Sequence, residues 1–169
     1  MPPSIDDFRV AMSRWATGIT VVTARAGDQV HGMVANSFAG VSTDPLSVLF
    51  CADHGTRTYP LIKETGAFAV SILAQAQEDI FWVFAGRKGS HDADRFADQE
   101  VITAVTGAPI LAKALAWFDC RVLAEHPGGN THSIFVGEVV ATDLGSGAHD
   151  PPLVYFHRRV RHLTDAAEE

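Results

Sequence analysis

A mainly β fold (α+β), an antiparallel barrel with a few peripheral helices, is what this chain predicts. Two observations carry that reading. Apolar runs of strand character outnumber helical ones, and several are joined by short turns rather than by helices. With 169 residues, one domain spanning 1–169 is the default, and the chain is long enough to bury a core.

The elements follow in order. Ser4-Ile5-Asp6-Asp7 reads as a helix start, with Ser4 as the cap and an acid three residues on. Phe8, Met12 and Trp15 recur at i, i+4 and i+7, giving one apolar face until Thr17-Gly18 ends the helix. The β-branched run 19–23 is a strand, turned by Gly27-Asp28 into another over 30–35. Strand 47–52 is polar only at its ends, so burial on both faces is expected. Residues 59–65 read as a short helix stopped by Gly66, 68–73 as a strand and 79–84 as a helix. Residues 85–94 form a polar, Gly-containing loop expected to be mobile. Long strands over 117–125 and 133–144 are joined by Pro127-Gly128-Gly129-Asn130, and 153–156 closes the set. The tail 165–169 is expected to be disordered. Trp15, Trp82 and Trp117 sit in periodic apolar stretches and read as core or dimer interface.

Composition removes several function classes. A net charge of −7 leaves no electrostatic case for nucleic acid or an anionic membrane surface. Neither a leader-like start nor an apolar run of about 18 residues is seen, so a cytoplasmic chain without a membrane partner is expected. Cys51 and Cys120 lie inside apolar strands and read as two reduced core thiols. Gly145-Ser146-Gly147 lacks the third glycine of a dinucleotide fingerprint, and Asp150-Pro151-Pro152 stands where its helix would begin. His126 and His132 flank a loop with no carboxylate partner nearby, so no metal site is expected. Ser37 lacks the Gly-x-Ser-x-Gly elbow of a hydrolase.

The most informative stretch runs from Gly32 to Pro45. It opens as a strand and breaks into small hydroxyl- and amide-bearing residues. It then turns at Asp44-Pro45 into the apolar strand. Small side chains let a flat ligand approach the main chain, and Asn36, Ser37, Ser42 and backbone N–H groups can bond a polar ring edge. A polar turn between strands is the plainer reading of the same residues. Thr56, Arg57 and Thr58 precede a helix, where hydroxyls, N–H groups and a guanidinium make a phosphate seat or an ordinary capping loop.

The block Ala35-Asn36-Ser37-Phe38-x-x-Val41-Ser42-x-Asp44-Pro45 resembles the isoalloxazine-binding stretch of the short-chain flavin reductases. These are the reductase components of two-component monooxygenases, built on the FMN-binding split barrel. The likeness extends from about Phe8 to about Leu163. It includes Thr17-Gly18-Ile19-Thr20-Val21-Val22-Thr23, Gly66-x-Phe68-Ala69-Val70, Asp94-Arg95-Phe96, His132-x-Ile134-x-x-Gly137-Glu138-Val139 and Pro152-Leu153-Val154-Tyr155-Phe156. It departs at Leu46, Gly40 and Val160, and Asn130-Thr131-His132 replaces the family's Gly-Asp-His, so no acid stands beside the histidine.

The resemblance implies an antiparallel split β-barrel. It implies hydride transfer from NADH or NADPH to FMN or FAD, and release of reduced flavin to a partner monooxygenase. It assigns Val34, Ala35, Asn36, Ser37 and Ser42 to the flavin ring edge, Cys51 and Ala52 to the ribityl chain through their backbone, and Thr56, Arg57 and Thr58 to the phosphate. Phe156 and His157 fall at the rim, though Phe156 also reads as core. His132 falls beside the nicotinamide, with a positioning role. Arg87, Lys88 and Arg95 could meet a 2′-phosphate, or be solvated loop charge. A homodimer with the flavin slot between subunits is implied as well. Two alternatives stay open: a split-barrel flavoprotein that retains its flavin and reduces another substrate, and a non-catalytic flavin- or haem-binding module.

Overall fold

The structure, a computed structural model, describes residues 2–89 and 94–164. The expected disorder of 165–169 and part of the expected mobile loop 85–94 lie outside the described residues.

Twelve strands and three α-helices are described. Seven strands form the main sheet: β2 (Thr20–Ala26), β3 (Gln29–Ala35), β4 (Ala39–Thr43), β5 (Leu46–Asp53), β6 (Ala67–Ile72), β9 (Ala116–Pro127) and β10 (His132–Leu144). Their spatial order is β3-β2-β6-β9-β10-β5-β4. A second sheet pairs β1 (Thr17–Gly18) with β11 (Leu153–Phe156) and β12 (Arg159–His162), and β7 (Val101–Thr103) pairs with β8 (Pro109–Leu111). All of these pairings are antiparallel. The mainly β, antiparallel expectation therefore holds. The helices α1 (Ile5–Met12), α2 (Thr58–Thr65) and α3 (Glu78–Phe84) are short. Among the described residues no helix is long and apolar enough to cross a membrane.

The main core is aromatic. Phe50 packs edge-on against Phe68 at 4.9 Å between centroids and stacks on Phe135 at 5.6 Å. Gly137 makes room for this cluster: a Cβ there would lie 2.4 Å from Phe68 Cζ. The ladder between β9 and β10 shifts register at this point, between Val136 and Gly137, consistent with a bulge. A second cluster gathers Ile19, Leu73, Phe81, Phe84 and Leu153, seating α3 and β11 on the sheet. Asp119 is fully buried, and its carboxylate accepts bonds from the Thr106 N–H and hydroxyl.

Several local expectations hold. Ser4 caps α1 in a reciprocal capping box with Asp7, and Gly66 ends α2 in the left-handed conformation at φ 64°. Strand β5 buries Val48, Phe50 and Ala52, with Leu49 and Cys51 half-buried. Both cysteines are free thiols, Cys120 buried and Cys51 half-buried.

Two expectations are corrected. Helix α1 stops at Met12, and Thr17-Gly18 pairs with Tyr155 and Val154 as a strand instead of ending it. The apolar face of α1 is not core: Phe8 and Met12 are exposed, and Trp15 beyond the helix is 70% exposed. Trp82 and Trp117 are half-buried.

Candidate functional site

Several stretches of chain converge on one cavity of about 670 Å³. Strand β3 brings Met33 and Val34 to it, and the connector after β3 brings Asn36. The turn after β5 brings Thr56 and Arg57. That turn is self-bonded: Asp53 Oδ1 accepts the Gly55 N–H at 2.8 Å, and Asp53 O accepts the Thr56 hydroxyl at 2.8 Å. At the start of α2 the Thr56 Oγ1 accepts the Tyr59 N–H at 3.4 Å, while the Arg57 side chain makes no cap bond. Helix α3 contributes Phe81, Trp82 and Phe84 as an apolar wall, which Tyr155 of β11 continues. Phe84 fits because residue 32 is glycine, where a Cβ would lie 2.6 Å from its ring.

The charge of the cavity is one-signed. Arg57, Arg87, Arg95, Arg158 and His31 line it, and among the described residues no carboxylate does. In a chain of net charge −7 this is a local inversion. Arg95 Nη1 donates to Phe84 O at 2.8 Å and Gly32 O at 3.1 Å. Burial first, and the charge of Arg57 second, push the Arg95 pKa below its ordinary value. Arg57 and Arg95 thus place two neighbouring guanidiniums on this cavity, donors of the kind an anion uses.

Arg158 arrives by an unusual route. It and His157 form the two-residue turn between β11 and β12, at φ 60° and 53°. That hairpin turn favours Asn-Gly, and a bulky pair there is strained. The His157 N–H donates to Ser13 O at 2.9 Å, and its ring stacks on Phe156 at 4.3 Å. Arg158, Tyr155 and Asn36 also line an adjoining cavity of about 480 Å³, shared with Ser37, Phe8, Met12 and Trp15.

Of the residues singled out in the sequence, Val34, Asn36, Thr56 and Arg57 meet in the first cavity, and Ser37 joins Asn36 in the second. Ser37 is tied to Cys51: its Oγ accepts the Cys51 N–H at 2.9 Å and lies 3.4 Å from Cys51 O. Ala35 and Ala52 are buried in the core. The Ala35 carbonyl accepts the Thr20 hydroxyl at 2.7 Å. Thr58 is buried, its Oγ1 2.8 Å from His31 Nδ1. Ser42 lies on the exposed strand β4, where its Oγ accepts the Asp44 N–H at 3.0 Å. His132 opens β10 opposite Asp53, with Nδ1 2.9 Å from Thr131 Oγ1. Ser42, His132 and Phe156 line none of the cavities described here.

Tyr155, Arg158, His31 and the α3 wall were not singled out for the site. Arg95, which the sequence offers as a 2′-phosphate contact or as solvated loop charge, is part-buried and bonded to two carbonyls, so the solvated reading does not hold. A short polar motif marks Asn36 or Thr56, but nothing local in the sequence marks a residue delivered by tertiary packing.

The chain matches a family model described as "Flavin reductase like domain" over residues 12–164. The reductase component of 4-hydroxyphenylacetate 3-monooxygenase from Thermus thermophilus is 38% identical over 156 residues, covering 92% of this chain and 95% of the relative. The FMN reductase (NADH) RutF of Agrobacterium fabrum is 34% identical, covering 93% and 87%. The solved structure of the NADH:FAD oxidoreductase SgcE6 of Streptomyces globisporus superposes with a TM-score of 0.86 at 30% identity, covering 97% of this chain and 96% of that one.

Proposed function

This chain belongs to the flavin reductase like family, and from that premise we propose that it is an NAD(P)H:flavin oxidoreductase. It takes hydride from NADH or NADPH to FMN or FAD and hands reduced flavin to a separate monooxygenase component. The observation that carries this reading is the cavity itself: it has an aromatic wall of Trp82, Phe84 and Tyr155 together with the guanidiniums of Arg57 and Arg95. That is the donor set a flat ring with a phosphate tail requires. The residues therefore fit a flavin.

When bound, the two ring systems carry the hydride chemistry themselves. The chain binds, orients and excludes water. Arg57, Thr56 and the start of α2 would hold the phosphate, with Thr58 and its partner His31 bracing that seat. By the resemblance Val34 through Ser37, with Ser42, would define the ring edge; Val34, Asn36 and Ser37 line the two cavities, and the Ser37–Cys51 bond ties that edge to β5 beside Ala52. Phe156 braces the His157-Arg158 turn at the rim. His132 positions the nicotinamide, its Nδ1 engaged by Thr131.

The split barrel belongs to the same proposal. Strands β3 and β4 are opposite edges of the seven-strand order, yet only Asn36, Ser37 and Phe38 join them. Four Cα steps reach at most about 15 Å. Seven strands laid flat would separate their outer members by about 29 Å. This argues for one rolled domain, split at the connector. A cytoplasmic homodimer completes the reading. The exposed apolar side chains of Phe8, Met12, Trp15, Val41 and Leu46 supply surface for the second copy.

The test is oxidation of NADH and NADPH with and without added FMN or FAD. Saturable turnover that requires added flavin bears the proposal out. Turnover absent in folded protein under every combination overturns it.

A further inference from the structure

Beside the candidate site, side chains from two other elements converge on one carboxylate of β9. Glu125 Oε1 accepts the Ser133 hydroxyl of β10 at 2.7 Å and the Tyr59 hydroxyl of α2 at 3.0 Å. Its Oε2 accepts Lys63 Nζ, one turn further along α2. The bond from Lys63, then those from Ser133 and Tyr59, hold the carboxyl below the usual range, so at neutral pH it is ionised and only accepts. Ser133 therefore spends its one proton on Glu125, and the 3.0 Å contact between its Oγ and His54 Nε2 is a bond donated by the imidazole. The His54 ring lies 4.6 Å from the Tyr59 ring, and its backbone N–H donates to Thr131 O at 2.9 Å. Glu125 thus anchors both ends of one short segment, His54 through Ser133 and Tyr59 directly. Between them stands Thr56, which lines the first cavity and accepts the Tyr59 N–H. Glu125, Ser133, His54 and Tyr59 themselves line neither of the cavities above.

We propose that Glu125 is a positioning residue for the flavin phosphate: through Tyr59 and the Ser133–His54 pair it sets where the turn carrying Thr56 stands, without touching the ligand. This rests on reading Thr56 and the start of α2 as the phosphate seat. The network is not what docks α2, because Leu61 and Ile62 seat that helix in the core. Lys63 is exposed, so its ion pair with Glu125 adds little. Apolar packing leaves open the placement of the turn before α2, since His54 and Gly55 are exposed and contribute nothing to the core. Directional bonds supply that placement. Their reference is rigid: Ser133 is buried and pairs with Ala52 in the ladder between β10 and β5. Bonds to a phosphate are short and geometrically demanding, so a shift of about 1 Å in the seat is felt in affinity.

Riboflavin has the ring and ribityl chain of FMN and no phosphate, so it separates positioning of the seat from general damage to the fold. Equilibrium binding of FMN and of riboflavin is measured on the full chain and on three variants, with folding checked by circular dichroism. The wild type is expected to bind FMN about tenfold or more tighter than riboflavin. Glu125→Ala removes the shared acceptor and should weaken FMN about tenfold, with riboflavin held within about twofold. Glu125→Gln keeps one oxygen for Tyr59 and Ser133 and should bind FMN within about threefold of the wild type. His54→Ala, at an exposed position that leaves the core intact, should weaken FMN alone by about threefold, and it decides the matter if Glu125→Ala does not fold. Unchanged FMN affinity in the folded alanine variants overturns the proposal. Equal losses for FMN and riboflavin overturn it too and make the network purely structural. Glu125→Gln as weak as Glu125→Ala overturns the shared acceptor as the cause. A wild type that binds FMN and riboflavin equally overturns the phosphate seat, and the proposal with it. Folded protein that binds neither overturns the proposed function itself.

Discussion

Replacing His157-Arg158 by Asn-Gly should stabilise the fold while weakening ligand binding. Both residues sit at positive φ, 53° and 60°, in a two-residue hairpin turn. Each non-glycine residue held there costs about 1 kcal/mol or more. Asn tolerates the conformation well and Gly has no steric penalty, so relief of about 2 kcal/mol is available. Two losses offset it. Glycine adds about 0.5–1 kcal/mol of unfolded-state entropy, and the ring stacked on Phe156 at 4.3 Å is lost, worth about 0.5 kcal/mol. The backbone bond from residue 157 to Ser13 O survives. The net gain is about 0.5–1 kcal/mol, which moves the midpoint of thermal unfolding up by about 1–4 °C. Arg158 lines both the first cavity and its neighbour. Losing one charge-assisted bond there is worth about 1.5 kcal/mol, or tenfold in affinity. Thermal unfolding followed by circular dichroism reads the first effect, and flavin binding with KM for NADH reads the second. A lower midpoint, or a higher one with binding and kinetics unchanged, would refute the idea that strain here serves the site.

Three further outcomes can be checked. Gly137→Ala should destabilise by about 2–3 kcal/mol in denaturant titration, because the new Cβ would sit 2.4 Å from Phe68 Cζ in a sealed core; a change below about 0.5 kcal/mol would show that the core yields there. Burial, then Asp119, push the Cys120 thiol up to about 12, so a thiol reagent near pH 8 should modify only Cys51 in the native protein and both cysteines once unfolded. The bond from Lys63, then those from Ser133 and Tyr59, hold the Glu125 carboxyl below the usual range. Its contribution is full above about pH 4.3 and is lost as pH falls through the depressed value, so Glu125→Gln should flatten the acid limb of the stability curve, and an unaltered limb would contradict the assignment.

The strands that could be read from sequence were those whose side chains determine their own placement. Apolar runs, β-branched in β2, mark β2, β3, β5 and β6, because burying that surface leaves little choice of face. Strand β4 was passed over. All five of its residues are exposed and only Val41 is a sizeable apolar side chain, so it is a strand because β5 offers it a ladder. Likewise β7, β8 and β12, each of three or four residues, exist through pairing. The site divides in the same way. Asn36, Thr56 and Arg57 are recognisable because the local chain alone makes them polar, turned and accessible. Arg158 was not, since His-Arg carries no turn signal and the strain is imposed by the hairpin that Phe156 and Arg159 close. Trp82 was read as core or interface, and only the packing of α3 against Gly32 shows it as a cavity wall.

The strand order also governs how the chain can be made. Strand β5 is paired on one side by β4 and on the other only by β10. At that seam His54 and Ser133, 79 positions apart, lie 3.0 Å from one another. A ribosome therefore releases β5 long before its partner exists. Until β10 emerges, the nascent chain presents an apolar strand with one bare hydrogen-bonding edge, the configuration most open to pairing with another molecule. The hairpin of β2 and β3 closes at once, but the sheet cannot be completed until synthesis is nearly over. Truncation anywhere before β10 should yield insoluble protein rather than a smaller working domain.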